Sequence, residues 1–385
     1  MENILLSTKN LRTPAFIVDE DAIEDVLDKI DVIREKSGCK FLFTLKSFTL
    51  ETLMTKMAGR LNGFSASSLF EANLASSTLN KRGTVHYTSP GLRSDEFEEL
   101  NKFCDYIVFN SLSQLAHYDI TQTKGTKFGL RINPELSFVK EQRYNPCCKN
   151  SRLGVPLHII KKLVEENSSL LTKISGIHFH SNSESAQFEP LLETIFWLEK
   201  NIGKLFEKLK WINIGGGYLF NETSNYDPFY KAISFLKDTF GMEVFTEPGM
   251  GIIRKSVALV ASVTDLFQIN GKEFAILDTT VNHMPEVYEY QLKPCVLEEI
   301  SQGKFTYYLG GASCLAGDVF GEHHFDHPLK IGSRIIFPDM GAYTLVKAHM
   351  FNGINLPSIY FLDKTKNLKE IKHYEYRDFL SRVGV

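Results

Sequence analysis

Short apolar runs alternate with amphipathic segments over the first two thirds of the chain. Eight of these runs have the length and composition of strands that are buried on both faces, as in a parallel sheet. They lie at residues 41–45, 63–65, 85–88, 106–109, 127–132, 174–180, 211–214 and 243–246. Helix-length segments separate successive runs, and this alternation predicts an α/β fold, a TIM-like (β/α)8 barrel. A doubly wound sheet is the structural alternative, although it usually has fewer strands.

The pattern changes after Gly251. Helical periodicity becomes scarce, and strand-like runs follow at 257–263, 274–278, 305–309 and 334–337, with Asn270-Gly271 typical of a hairpin turn. We therefore predict two domains. A barrel domain covers residues 15–251, and a mostly β domain covers 252–385 together with 1–14.

Composition limits the partners of the chain. With 385 residues it exceeds the usual size of one core, and its 43% hydrophobic and 23% charged residues are ordinary for a globular protein. A net charge of -3 gives no support for nucleic acid or an anionic membrane as partner. Neither a membrane-spanning run nor the apolar core of a signal peptide is evident, so we expect a cytoplasmic protein. The six cysteines match no zinc spacing, and no metal is expected.

Lys46 follows the first predicted barrel strand directly. Lysine is rarely buried without a partner, and desolvation lowers its pKa and makes it a better nucleophile towards a carbonyl. A lysine that merely extends from the strand end into solvent is the alternative.

Other polar and small residues also follow barrel strands, where TIM barrels place their catalytic groups. They are Ser65, Asn110, Arg131, His180, Gly215, Gly216, Gly217 and Glu247. Glycines after the seventh strand let backbone N–H groups approach a phosphate. A lysine, a phosphate cradle and a carboxylate for a ring nitrogen are what pyridoxal phosphate requires. By strand alternation His178 and His180 share a face, and either could stack on such a ring.

Together these residues resemble the fold-type III pyridoxal phosphate decarboxylases, the ornithine and diaminopimelate decarboxylase family with its alanine racemase-like fold. The likeness covers nearly the whole chain. Besides Lys46 and the glycines it rests on HFHSNS at 178–183, on Glu-Pro-Gly at 247–249, on Cys314 and on Gly-Ala-Tyr-Thr at 341–344. Within the family, residues 283–286, 313–318 and 350–358 resemble the carboxynorspermidine (carboxyspermidine) decarboxylases.

The resemblance implies pyridoxal 5′-phosphate as the cofactor. Lys46 would bind it covalently, His180 would stack on its ring, and Glu247 would pair with the ring nitrogen, with Arg131 near the cofactor. The phosphate would be held by Ser183, Tyr343 and the backbone of Gly215, Gly216 and Gly217.

The resemblance also implies a reaction and a partner. Cys314 would return a proton after carbon dioxide leaves a carboxylated polyamine, carboxynorspermidine or carboxyspermidine. We expect His283, Glu286 and Asp318, which lie in the distinguishing stretches, to contact the amines of this substrate. In relatives the cysteine loop reaches into a partner's barrel, so a homodimer is expected.

Two departures from the family pattern bear on the substrate. Met250 replaces the arginine that follows Glu-Pro-Gly in ornithine-type enzymes, so phosphate binding must depend more on backbone donors. Leu315 replaces the acid that follows the cysteine, which counts against a short diamino acid. Diaminopimelate, ornithine or lysine decarboxylation remains an alternative, as do racemisation and a noncatalytic cofactor-binding role. Glu247 argues against a racemase, and the second domain argues against a noncatalytic role.

Overall fold

The chain forms two compact units, each with its own sheet. The computed structural model describes residues 11–121, 123, 125–139 and 141–384. One unit spans Val26–Ile252, and the other combines the described residues of 1–25 with 253–385. Residues 1–10, which the sequence assigned to the β domain, lie outside the described residues.

The strands and helices are numbered in chain order. The strands are β1 Ala15–Asp19, β2 Lys40–Thr44, β3 Gly63–Ala66, β4 Thr84–Thr88, β5 Tyr106–Phe109, β6 Lys127–Asn133, β7 Val155–Pro156, β8 Gly176–His178, β9 Trp211–Asn213, β10 Glu243–Thr246, β11 Val257–Ile269, β12 Lys272–Leu277, β13 Phe305–Gly310, β14 Val319–Phe325, β15 Arg334–Phe337, β16 Ser358–Leu362 and β17 Leu368–Lys372. The helices are α1 Glu20–Ser37, α2 Glu51–Met57, α3 Leu69–Leu79, α4 Phe97–Phe103, α5 Leu112–His117, α6 Leu157–Glu165, α7 Glu189–Phe206, α8 Asp227–Ser234, α9 Met250–Ile253, α10 Glu286–Tyr290 and α11 Tyr376–Arg382.

The larger unit is a closed barrel of eight parallel strands in the order β2, β3, β4, β5, β6, β8, β9 and β10, and β10 pairs back onto β2. All eight strands coincide with the predicted apolar runs, so the barrel prediction is confirmed. Inside it, Trp211 packs with Leu42, Tyr106, Val108 and Phe245. Because all strands run the same way, their C-terminal ends meet at one mouth.

The smaller unit is mostly β, as predicted. Its sheet has the order β14, β13, β12, β11, β1, β16 and β17, with β15 also paired to β11. The Asn270-Gly271 turn joins β11 and β12, and both residues have the positive φ that a tight hairpin turn needs. The sequence did not predict β14, β16 and β17.

The first strand belongs to this second sheet and not to the barrel. β1 runs antiparallel to β11, with Ala15 opposite Val260, and parallel to β16, with Ala15 opposite Ser358. The domain boundary at residue 15 is therefore corrected, because the division falls within α1. A short, largely apolar strand is compatible with either sheet, and only its distant partners decide between them.

No helix among the described residues combines the length and the apolar character that crossing a membrane requires.

Candidate active site

Lys46 lies in a short turn that follows β2, with the hydroxyl of Ser47 bonded to the carbonyl of Thr44 at 2.8 Å. Its side chain is accessible to solvent, although many protein atoms lie around its amine. Burial therefore lowers the pKa of Lys46. The negative charge of Glu247 opposes this shift and the positive charge of Arg131 adds to it. The amine is thus easier to deprotonate than an ordinary lysine, as attack on a carbonyl requires.

Glu247 follows β10 and is buried. The amide of Asn213 donates to its Oε1 at 2.6 Å, and Nε2 of His178 lies 3.6 Å from its Oε2. Burial by itself would raise the pKa of Glu247, but His178 and the positive charge of Lys46 hold it well below the usual range. The carboxylate is therefore ionised at neutral pH and accepts hydrogen bonds without donating them.

The two histidines of HFHSNS occupy different places. His178 ends β8 and is buried beside Glu247, whereas His180 lies half-buried beyond the strand end, where the Gly216 N–H donates to its Nδ1 at 3.1 Å. The shared face stays a prediction, because the strand ends at His178 and alternation does not define the direction of a residue beyond it. Burial and the nearby charges of Lys46 and Arg131 lower the pKa of His180, which is therefore neutral with its proton on Nε2.

Close backbone contacts explain the three glycines after β9. A Cβ atom on Gly215 would lie 2.4 Å from the carbonyl oxygen of Phe179, and one on Gly217 would lie 2.1 Å from that of Asn182. At Gly216 the corresponding distance to the carbonyl oxygen of Glu247 is 2.3 Å. No side chain fits at any of these positions.

The glycine turn offers fewer free donors than the sequence suggested. The Gly215 N–H donates to Oδ1 of Asn213 at 2.9 Å, and that of Gly216 donates to His180. Only the N–H of Gly217 has no acceptor among the described residues. The backbone of Ser183 lies next to Gly217, and Ser183 also lines a cavity of about 520 Å³. Gly217 and Ser183 are therefore the members of the predicted phosphate set that the barrel brings together.

Arg131 is buried on β6, near Cys147 and Glu247. Burial lowers its pKa while Glu247 raises it. Arg131 thus adds a second positive charge, beside Lys46, to the barrel mouth.

Two side chains of the second unit, those of Asn352 and Asp318, bond the loop that carries Cys314. The Cys314 thiol is exposed, and its N–H donates to Oδ1 of Asn352 at 2.8 Å. Asp318 is buried, and its two carboxylate oxygens accept the N–H groups of Val281 and Ser313, each at 2.8 Å. Asp318 therefore shapes the cysteine loop, which is a structural role that the sequence did not suggest.

The remaining candidates differ in their exposure to solvent. His283 is fully buried and its Nδ1 lies 2.9 Å from Oγ1 of Thr279, so it does not face solvent. Glu286 is partly exposed at the start of α10, with Nζ of Lys347 3.7 Å from its Oε1. Tyr343 lies in a turn with a φ of 57°. Of the candidates in the second unit, Cys314 is exposed, whereas Glu286 and Tyr343 are partly exposed.

Comparison with known proteins shows the family of the chain. Residues 24–253 match the family model of the pyridoxal-dependent decarboxylases, pyridoxal binding domain. The chain is 34% identical to the carboxynorspermidine/carboxyspermidine decarboxylase of Campylobacter jejuni, over 97% of this chain and 99% of the relative. It is also 34% identical to the carboxyaminopropylagmatine decarboxylase of Synechocystis, over 100% of this chain and 98% of the relative.

A solved structure shows the same fold. The crystal structure of the Campylobacter jejuni carboxynorspermidine decarboxylase complexed with norspermidine matches with a TM-score of 0.86, covering 97% of this chain and 100% of that one. The chain belongs to the pyridoxal-dependent decarboxylases.

The barrel mouth of this decarboxylase suits pyridoxal phosphate. It offers a lysine of lowered pKa, a buried ionised carboxylate and the unpaired N–H of Gly217. These groups match the aldehyde, the ring nitrogen and the phosphate of the cofactor in chemistry. Among the described residues of the decarboxylase, no group of three or more His, Cys, Asp or Glu side chains is arranged to hold a metal ion.

Sequence reasoning missed Asn213 and Asn352. Asn213 bonds the carboxylate of Glu247, and Asn352 bonds the backbone of Cys314, which lies 38 positions earlier in the chain. The available signal for Asn213 was its place on the barrel strand two residues before the glycine turn.

Proposed function

We propose that this protein decarboxylates carboxynorspermidine and carboxyspermidine, giving norspermidine and spermidine in polyamine biosynthesis. The observation that carries the proposal is the ionised, buried Glu247 in the same barrel mouth as a lysine of lowered pKa. The chain that holds these two groups is 34% identical, over nearly its whole length, to an enzyme named for these substrates. Bound pyridoxal phosphate would supply the electron sink for loss of carbon dioxide.

The residues of the barrel then have distinct tasks. Lys46 would hold the cofactor, and Glu247 would keep a proton on the ring nitrogen because it stays ionised. His180, neutral and fixed by Gly216, would lie against the ring. Gly217 and Ser183, together with Tyr343, would hold the phosphate, and Arg131 would balance the charge of Glu247.

The second domain would complete the chemistry. Cys314, an exposed thiol on a loop fixed by Asn352 and Asp318, would return the proton to the carbon that loses carbon dioxide. Glu286 would contact an amine of the substrate directly, whereas the buried His283 and Asp318 would act by shaping that region. We further propose a cytoplasmic homodimer in which the partner supplies the cysteine loop.

A second substrate has its own support. The relative from Synechocystis is named a carboxyaminopropylagmatine decarboxylase and is equally similar, at 34% identity. Its substrate, like a carboxylated polyamine, carries a long cationic chain, so the same contact with Glu286 would suit it.

The test is release of carbon dioxide from a panel of substrates. The panel contains carboxynorspermidine, carboxyspermidine, carboxyaminopropylagmatine, ornithine, lysine and diaminopimelate, with Lys46→Ala as the inactive control. We expect kcat/KM to be highest for carboxynorspermidine or carboxyspermidine. A higher value for carboxyaminopropylagmatine would identify the second candidate, and a higher value for a short amino acid would overturn the proposal. Borohydride reduction of the loaded enzyme should attach the cofactor to the peptide that contains Lys46.

A further inference from the structure

Asn213 connects the carboxylate of Glu247 to the glycine turn. Its side chain is fully buried at the end of β9, where Nδ2 donates to Oε1 of Glu247 at 2.6 Å and Oδ1 accepts the N–H of Gly215 at 2.9 Å. The carbonyl of Gly215 accepts in turn from the N–H of Glu247 at 2.8 Å and from the hydroxyl of Thr246 at 2.9 Å. The carboxylate and the first glycine thus belong to one hydrogen-bonded unit.

The chemistry of the two neighbours determines which way the amide points. An ionised carboxylate only accepts, and a backbone N–H only donates, so Nδ2 must face Glu247 and Oδ1 must face Gly215. Asparagine offers a donor and an acceptor at these two positions. Aspartate would offer two acceptors, and leucine would offer neither.

Asn213 also determines the orientation of the Glu247 carboxylate. Among the described residues it makes the shortest polar contact with the Glu247 side chain, since Nε2 of His178 lies 3.6 Å from the other carboxylate oxygen. Without this bond the carboxylate could rotate towards Lys46 or Arg131, whose charges reach it across the mouth.

We propose that Asn213 is a positioning residue that couples the partner of the cofactor's ring nitrogen to the turn that holds its phosphate. The inference rests on the proposed cofactor role of Glu247 and Gly217. One amide keeps the ionised oxygen of Glu247 aimed at the ring and keeps Gly215 in the conformation that exposes the N–H of Gly217. Both ends of the cofactor site therefore depend on this side chain.

Two variants separate the two bonds. Asn213→Asp is nearly isosteric and keeps the acceptor for Gly215, but its carboxyl group can donate to Glu247 only when it is protonated. Nδ2 of Asn213 lies 2.6 Å from Oε1 of Glu247, and two carboxylates at such close positions resist joint ionisation, so one proton stays on the pair above the ordinary carboxyl pKa of about 4. Asn213→Leu removes both bonds. Asn101→Asp on α4 is the matched control, since that amide bonds only the carbonyl of Phe97 among the described residues.

The expected results differ between the variants. Asn213→Asp should bind the cofactor like wild type, but its rate should decline with rising pH as the new carboxyl ionises. The decline should reach roughly 10- to 100-fold, by analogy with the groups that orient the ligands of a metal site. The other groups facing the pair are His178 on β8, His86 on β4, Lys46 and Arg131. They are present in both proteins, so the ratio of the two pH profiles isolates residue 213.

Asn213→Leu should lose both properties. Its cofactor dissociation constant, measured by titrating the apoprotein with pyridoxal phosphate, should rise by about 10-fold or more. The ¹⁵N chemical shift of the labelled ring nitrogen should move towards the unprotonated value. Tryptophan fluorescence reports whether the barrel has folded, and if Asn213→Leu does not fold, the isosteric Asn213→Asp still decides the question.

A pH profile of Asn213→Asp that superimposes on wild type would overturn the proposal. So would wild-type cofactor affinity and ring-nitrogen shift in folded Asn213→Leu. Because the affinity and the ¹⁵N shift need no substrate, they test Asn213 even if no member of the substrate panel is turned over, an outcome that would reject the proposed function alone.

Discussion

At the residue scale, the surroundings of Lys46 and of Glu247 lower the pKa of both groups. Burial lowers that of the lysine and favours the free amine. Burial alone would raise the pKa of Glu247, but His178, His86 and Lys46 lower it by more, so the ionised carboxylate is favoured. Each group is thereby prepared for its proposed task, the lysine as a nucleophile and the glutamate as a fixed negative charge.

Replacing Glu247 by glutamine tests the charge without a change of size. We expect the barrier to decarboxylation to rise by about 2 to 4 kcal/mol, the range for removing one preorganised electrostatic group, while the cofactor still binds. Single-turnover release of carbon dioxide measures the effect. Glu243→Gln makes the same change at the start of β10, where the side chain bonds Tyr106 and Lys40, and should be nearly neutral for the rate. A Glu247→Gln rate within a few-fold of wild type would make the carboxylate structural.

At the element scale, the barrel interior depends on a match between small and large residues on adjacent strands. Gly129 on β6 lies opposite Gly176 on β8, which lies opposite Trp211 on β9. A Cβ atom on Gly176 would lie 2.1 Å from the indole ring, and one on Gly129 would lie 2.5 Å from it. The glycines therefore provide the space for the largest side chain of the core.

Gly176→Ala should destabilise the barrel by about 1 to 3 kcal/mol, because an added methyl group in a filled core forces its neighbours to move. Urea unfolding followed by tryptophan fluorescence measures this, since both tryptophans of the chain, Trp197 and Trp211, lie in the barrel unit. Gly59→Ala is the control, as no atom lies within 4 Å of a Cβ there. Equal midpoints for the two variants would contradict the packing argument.

At the scale of the whole molecule, buried histidines connect stability to pH. His86 is fully buried in the barrel, stacked on Tyr106 at 4.0 Å between ring centroids. Burial lowers its pKa to about 3, with Glu247 opposing and His178, Lys127 and Lys40 adding to the shift. The folded barrel thus keeps this imidazole neutral under mildly acidic conditions in which the unfolded chain protonates it.

The sign of the pH effect follows from the lowered pKa. Between about pH 6.5 and pH 3 the unfolded chain binds one more proton than the folded barrel at residue 86, so the free energy of unfolding falls as pH falls. His86→Phe should reduce this slope by up to about 1.4 kcal/mol per pH unit. Urea titrations at several pH values, read by tryptophan fluorescence, measure it, with His117→Phe at an exposed helix position as the control. An unchanged slope in His86→Phe would refute the assignment.

The proposed homodimer makes a prediction about shared sites. If the partner supplies Cys314, a mixed dimer of Lys46→Ala and Cys314→Ala chains has one doubly mutated site and one intact site. Random pairing of equal amounts should restore about a quarter of wild-type activity, since half the dimers are mixed and half their sites are intact. Activity that stays at the level of the single mutants, with mixed dimers confirmed by native mass spectrometry, would reject shared sites.

Local sequence determined the barrel and most of its mouth. Each of the eight apolar runs is recognised from residues that are adjacent in the sequence, and the alternation of strands and helices restricts the chain to a few topologies. Since parallel strands end at one mouth, Lys46, Arg131, His180, the glycines and Glu247 could be placed together from strand order alone. Residues of this kind are predictable because their position depends on the element that carries them.

Tertiary structure decided what depends on contacts between distant parts of the chain. β1 joined the second sheet because its partners, β11 and β16, lie more than two hundred residues away. The N–H groups of Gly215 and Gly216 were assigned to Asn213 and His180, and the carboxylate of Asp318 to two backbone amides. Hydrogen bonds are directional and join groups that only the folded chain brings within about 3 Å, so local sequence patterns do not specify them.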